Sequence, residues 1–187
     1  NDTGLTVAVD RKGDVYVAGV TESGDFPVTP GVLGTSYRGA SDVFVAVLDN
    51  NLFTLRRASF LGGTREEGLR SRVRLLVEGD DIVVAGATAS PDFPVTAGTL
   101  STTHRGGNDV FIARLDRALT HVKGATLVGG TDSENVMSLE RSAAGQKLYL
   151  AGYTTSRDFP FTAKGLLSQG GGMPRAYVIR LDPELRR

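Results

Sequence analysis

The sequence contains no cysteine, which excludes disulfides, thiolate catalysis and cysteine-ligated zinc. No apolar run approaches the roughly 18 residues of a membrane-spanning helix, so no membrane insertion of that kind is expected. An excess of one charge is missing too, because 21 Lys and Arg balance 21 Asp and Glu. A nucleic-acid binder ordinarily carries a basic excess that displaces counterions from phosphates. The local cluster Arg70, Arg72 and Arg74 alternates along the chain and reads as one solvated strand face. No nucleic-acid partner is therefore expected. There is no signal peptide and no initiating methionine, so Asn1 is expected to follow a processing site or another boundary. Catalytic signatures are absent as well. Gly170-Gly171-Gly172 is not followed by the Lys-Ser/Thr pair of a phosphate loop. No Gly-x-Ser-x-Gly elbow with triad partners and no His-Glu-x-x-His occurs.

What the sequence does contain is repetition. Asp14-Val15-Tyr16-Val17-Ala18-Gly19 returns as Asp81-Ile82-Val83-Val84-Ala85-Gly86 and again as Lys147-Leu148-Tyr149-Leu150-Ala151-Gly152. The spacing is about 67 residues, the signature of a tandem structural repeat. Asp25-Phe26-Pro27, Asp92-Phe93-Pro94 and Asp158-Phe159-Pro160 keep the same period. So do the blocks starting at Asp42, at Asp109 and, more loosely, at Ala176. A fourth block, Ala58-Ser59-Phe60-Leu61-Gly62-Gly63-Thr64, recurs once, from Ala125 to Thr131. The repeats divide the chain at 1–64, 65–131 and 132–187.

The blocks are short, rich in Val, Ile, Phe and Tyr, and separated by Gly, Asp, Asn and Pro, which is strand chemistry. Nothing keeps a helical period over two or three turns. Strands are expected near 5–10, 14–20, 42–49 and 54–61, and again one period later. Gly13 is placed to take positive φ in the first hairpin turn. Strand two is apolar on both faces, so cover on both sides is expected. Strand three is expected to reach solvent at Val47, whose counterparts are Arg114 and Arg180. The polar strand four, with Arg56, Arg57 and Ser59, is expected at an outer edge. The predicted class is all-β: three tandem four-stranded antiparallel repeats, the last incomplete, arranged as β-propeller blades.

The hairpin Val9–Gly19, the segment Thr21-Glu22-Ser23-Gly24-Asp25-Phe26-Pro27 and the ending Phe60-Leu61-Gly62-Gly63 resemble the SBBP-type bacterial β-propeller repeat family. The resemblance implies tandem blades in an exported or cell-surface protein. It implies no catalytic residues, because the family has no agreed set. Three blades are too few to close a ring. Either the chain is a section of a larger ring, or two chains pair as a homodimer of six blades.

Each candidate for chemistry has a plainer reading. His104 and His121 do not recur, and no carboxylate or second ligand is paired with them in the pattern. Asp10, Asp14, Asp80 and Asp81 suggest a calcium loop but fit no EF-hand spacing, so tight turns are favoured and no metal or cofactor is expected. The three Asp-Phe-Pro triplets are the candidate binding residues: Asp25, Phe26, Pro27, Asp92, Phe93, Pro94, Asp158, Phe159 and Pro160. A ring of such pockets would suit a glycan or a peptide. The structural reading gives the aspartate to a turn and wedges the phenylalanine between blades. The expectation is a non-enzymatic structural or ligand-binding module with a protein or glycan partner. The alternatives are a fragment of a propeller hydrolase or lyase, or a repeated carbohydrate-binding surface.

Overall fold

The computed structural model describes residues 1–68, 73–143, 147–162 and 174–186. Arg70, Arg72, the turn residues 144–146 and the triglycine at 170–172 lie outside them. Among the described residues there are eleven strands and no helix, hence none long and apolar enough to cross a membrane.

The strands form three antiparallel sheets. The first holds β1 (Asp2–Val9), β2 (Val15–Thr21), β3 (Asp42–Leu48) and β4 (Leu55–Leu61), in that order. The second holds β5 (Arg74–Glu78), β6 (Asp81–Thr88), β7 (Asp109–Asp116) and β8 (Val122–Val128). The third has β9 (Glu134–Arg141), β10 (Leu148–Thr154) and β11 (Arg175–Leu181). No sheet closes on itself.

Turn chemistry sets the hairpins. Asp10 Oδ1 accepts the Lys12 and Asp14 amides at 2.8 and 3.0 Å, and Gly13 takes φ +85°. The second turn is one residue shorter yet still pairs Glu78 with Asp81, with Gly79 at φ +53°. A glycine at that position carries the positive φ without steric cost.

The sheets stack through their apolar faces. Tyr16, Ala18, Val43 and Val45 of the first sheet pack with Leu75, Ile82, Val84 and Phe111 of the second. Val83, Ala85, Val110 and Ile112 on the second sheet's other face pack with Val136, Leu148, Leu150 and Tyr177 of the third. The first strands of successive sheets lie side by side, β1 against β5 and β5 against β9. The middle sheet is thus covered twice, and β6 is buried over all but its first residue. β10 has the same kind of sequence but only one neighbouring sheet, so Tyr149 and Tyr153 stay exposed.

Strands β4 and β8 lie at sheet edges, as their polarity predicts, but these edges are not bare. The β2–β3 loop runs along β4: Thr29 N donates to Ala58 O at 3.0 Å, and Phe60 N to Gly34 O at 3.0 Å. The β6–β7 loop covers β8 in the same way, through Thr96 N to Ala125 O at 2.9 Å and Leu127 N to Ser101 O at 3.0 Å. Unpaired edge groups are satisfied within the repeat.

One expectation is corrected. The end of strand three reaches solvent at Arg180, but Val47 is buried and the Arg114 side chain is only 13% exposed. Arg114 is held there by Glu78 at 3.1 Å and Asp81 at 3.0 Å. Ion pairing with its neighbours lets an arginine lie under cover.

Candidate functional site

The Asp-Phe-Pro triplets sit where β2, β6 and β10 give way to the following loops. Asp92 does more than order its own turn, because it reaches back to the preceding repeat. Its Oδ1 accepts the Thr64 amide at 2.9 Å and the Thr64 hydroxyl at 2.9 Å. Asp158 treats Thr131 the same way, at 2.9 and 3.0 Å. Two residues earlier, Ser90 Oγ accepts the Arg65 amide at 2.9 Å, and Ser156 Oγ the Asp132 amide at 2.8 Å. The Thr64 amide bond, above all, holds the Asp92 carboxyl below its ordinary value, and the Thr131 amide does the same for Asp158. Gly63 is confined by this clamp, since a side chain there would meet Asp92 Oδ1 and Ser90 Cβ, each at 2.5 Å.

The phenylalanines stack on aromatics of the neighbouring strand. Phe26 lies on Phe44 at 4.3 Å between centroids, Phe93 on Phe111 at 4.6 Å and Phe159 on Tyr177 at 5.0 Å. Phe93 and Phe159 are buried, 2% and 7% exposed, while Phe26 is partly covered. A glycine faces each of these aromatics across the ladder, with Gly19 opposite Phe44, Gly86 opposite Phe111 and Gly152 opposite Tyr177. Pro27 is exposed; Pro94 and Pro160 are partly buried.

Two buried acids complete the joint, and of these Glu67 was not singled out from the sequence. Glu67 Oε1 accepts the Thr88 hydroxyl at 2.7 Å and Oε2 the Gly63 amide at 3.1 Å. Glu134 accepts the Thr154 hydroxyl and, at 3.0 Å, the Gly130 amide. The signal was present as Gly-Gly-Thr-x-x-Glu, repeated from Gly62 to Glu67 and from Gly129 to Glu134. Each glutamate has an aspartate beside it. A side chain on Gly62 would meet Glu67 Oε2 at 2.5 Å and Asp42 Oδ1 at 2.6 Å. Asp109 and Glu134 flank Gly129 in the same manner, at 2.1 and 2.5 Å. Asp42, Glu67 and Asp109 are completely buried, and neither Asp42 Oδ1 nor Asp109 Oδ1 receives a hydrogen bond from a donor group. Burial pushes the Asp42, Glu67 and Asp109 carboxyls above their ordinary values.

A leucine knob is the third fitting. Leu52, Leu119 and Leu185 have φ of 62°, 55° and 60°, a conformation rare for a branched side chain. Aspartate caps hold these turns: Asp49 Oδ1 accepts the Phe53 amide at 2.9 Å, Asp116 Oδ1 the Thr120 amide at 2.8 Å and Asp182 Oδ1 the Arg186 amide at 2.7 Å. Leu119 and Leu185 are wholly buried against the preceding repeat. There the Leu33 amide donates to Leu119 O at 2.7 Å, and the Leu100 amide to Leu185 O at 2.9 Å.

The remaining candidates have partners within the chain. Asp10 Oδ2 pairs with Arg117 of the next repeat at 2.6 Å. Although burial pushes the Asp10 carboxyl up, the Lys12 and Asp14 amides and Arg117 hold it below its ordinary value. Asp14 pairs with Arg56, and Asp81 with Arg114 and Lys123. His104 Nε2 lies 3.2 Å from Thr88 O. His121 is exposed, with Nδ1 2.7 Å from Thr120 Oγ and 4.0 Å from Asp116. No group of three or more potential metal ligands occurs among the described residues. A cleft of about 310 Å³ opens beside Asp81, Arg114, Lys123 and Arg186. Asp81 is already paired with two of those cations, and Arg186 donates to Gly98 O at 3.1 Å.

No protein-family model matches the chain, and no curated protein matches its sequence.

Proposed function

We propose that this chain is a section of a β-propeller of the SBBP-repeat kind, a non-enzymatic structural or ligand-binding module of a bacterial exported or cell-surface protein. The observation that carries this reading is the joint. The same aspartate clamp, buried acid and leucine knob recur at both contacts between successive sheets. First strands lying side by side, with covered edges on the far side, fit blades arranged around an axis. The clamping aspartates Asp92 and Asp158 and the buried Glu67 and Glu134 are occupied at the contacts between repeats, and a repeated architecture demands the same residues at every joint.

The test is turnover. The 187-residue chain is assayed with chromogenic ester, phosphate and glycoside substrates and with a polyuronate for lyase activity. No rate above that of the heat-denatured chain is expected. Turnover abolished by one substitution, such as Asp116→Asn or His121→Ala, would contradict the reading and favour a propeller hydrolase or lyase.

A further inference from the structure

The first sheet carries the same fittings as the second and third, with nothing in them. In the later repeats Ser90 and Asp92 accept the Arg65 and Thr64 amides of the repeat before. In the first repeat the corresponding Ser23 hydroxyl donates to Asp25 instead. Asp2 takes the place of Glu67, bonded to Thr21 as Glu67 is to Thr88. The register agrees, pairing Asp2 with Thr21 and Glu67 with Thr88. Leu52 keeps the strained φ of 62° but is 60% exposed, where Leu119 and Leu185 are fully covered. Val7, opposite Val17, is 64% exposed, whereas its counterpart Leu75, opposite Val84, is 6% exposed.

We infer that this face is a docking surface for another repeat of the same fold, one that ends in a Gly-Gly-Thr turn. The inference rests on the reading of the sheets as consecutive blades. Asp25 and Ser23 take the turn's amides and its threonine hydroxyl. Leu52 enters the loop along the partner's outer strand, as Leu119 meets Leu33. Val7 and Phe26 cover the partner's apolar face. The occupant follows from the two joints within the chain, where the same serine and aspartate positions hold that turn. A glycine is required opposite Asp25, because a side chain at Gly63 or Gly130 would lie 2.5 or 2.6 Å from the clamping carboxylate. That requirement separates a Gly-Gly-Thr turn from an arbitrary extended peptide.

The test supplies the occupant. Residues 65–132 are placed ahead of Asn1, so that Gly129-Gly130-Thr131-Asp132 runs into Asn1-Asp2 in the register it has with Ser133-Glu134. The extended chain is expected to unfold in one transition at a higher Tm than the original. Asp25→Ala and Leu52→Ala should leave the Tm of the original chain within error. In the extended chain Asp25→Ala should lower Tm as much as Asp92→Ala does in the original, and Leu52→Ala should lower it too. An added repeat that stays unfolded or melts separately would overturn the inference. So would Asp25→Ala having the same effect in both chains. Neither of those results bears on turnover, so the docking and the non-enzymatic reading fail independently.

Discussion

Asp42 and Glu67 show how far a single pair of side chains shapes this molecule. Both are fully buried, both lie against Gly62, and Asp42 Oδ1 has no donor group to serve it. Two adjacent buried carboxyls do not both ionise readily, so the pair retains a proton into the pH range where exposed acids have lost theirs. The neighbouring charges and titratable groups are Arg38, which lowers Asp42, and Tyr37, which Asp42 raises. The sign follows from the upward direction of both shifts. The pair's contribution to stability is complete below the ordinary carboxylate range and is lost as pH rises through the raised folded values. In Asp42→Asn, an amide nitrogen in the place of Oδ1 donates to Glu67 at every pH. Urea unfolding at pH 5 and pH 8 should show this variant gaining on the wild type by on the order of 1 kcal/mol at the higher pH. A difference that does not change with pH would refute the shared proton. Every residue of this joint stands in the sequence, yet Glu67 is not legible there as part of it. Its role depends on Thr88 and Asp42, which are distant in the chain, and only the fold brings them together.

Among the elements, the second sheet has the most to hold. Arg114 on β7 bridges Glu78 at the end of β5 and Asp81 at the start of β6, and Arg141 on β9 approaches Glu78 at 3.7 Å. One guanidinium therefore ties three strands of a sheet, and through Glu78 it meets the next sheet. Removing it in Arg114→Ala takes the nearest partner from the largely covered Glu78 and leaves Asp81 with Lys123 alone. A loss of about 2–3 kcal/mol is expected in denaturant unfolding, against less than about 0.5 kcal/mol for Arg56→Ala, whose ion pair with Asp14 is half exposed. Equal losses would show that the cluster is no stronger than a surface pair. Strand positions were legible in the sequence because β-branched and aromatic runs alternate with Gly, Asp and Pro. The cover of Arg114 was not, because an arginine opposite a valine in the repeat reads as an outward position. Its partners, Glu78 and Asp81, flank a turn that reads as an ordinary hairpin.

At the scale of the whole molecule, one repeated sequence occupies three different environments. The middle sheet is sandwiched, while the outer two each expose a face. Val178 is 66% exposed where its counterparts Val45 and Ile112 are fully buried, and Val7 is exposed where Leu75 is covered. Sequence periodicity predicted three like repeats. It had no means of saying which faces go uncovered, because that depends on position in the stack rather than on residue type. The Asp-Phe-Pro triplets divide in the same way. They are alike in sequence, yet Phe93 and Phe159 are enclosed and Phe26 is partly open. The most direct test of their role as joints is urea unfolding of Phe26→Ala, Phe93→Ala and Phe159→Ala, made one at a time. Phe93→Ala and Phe159→Ala should each cost about 3 kcal/mol or more, and Phe26→Ala clearly less. Small and equal losses in all three would contradict the account and return the triplets to the role of surface binding sites.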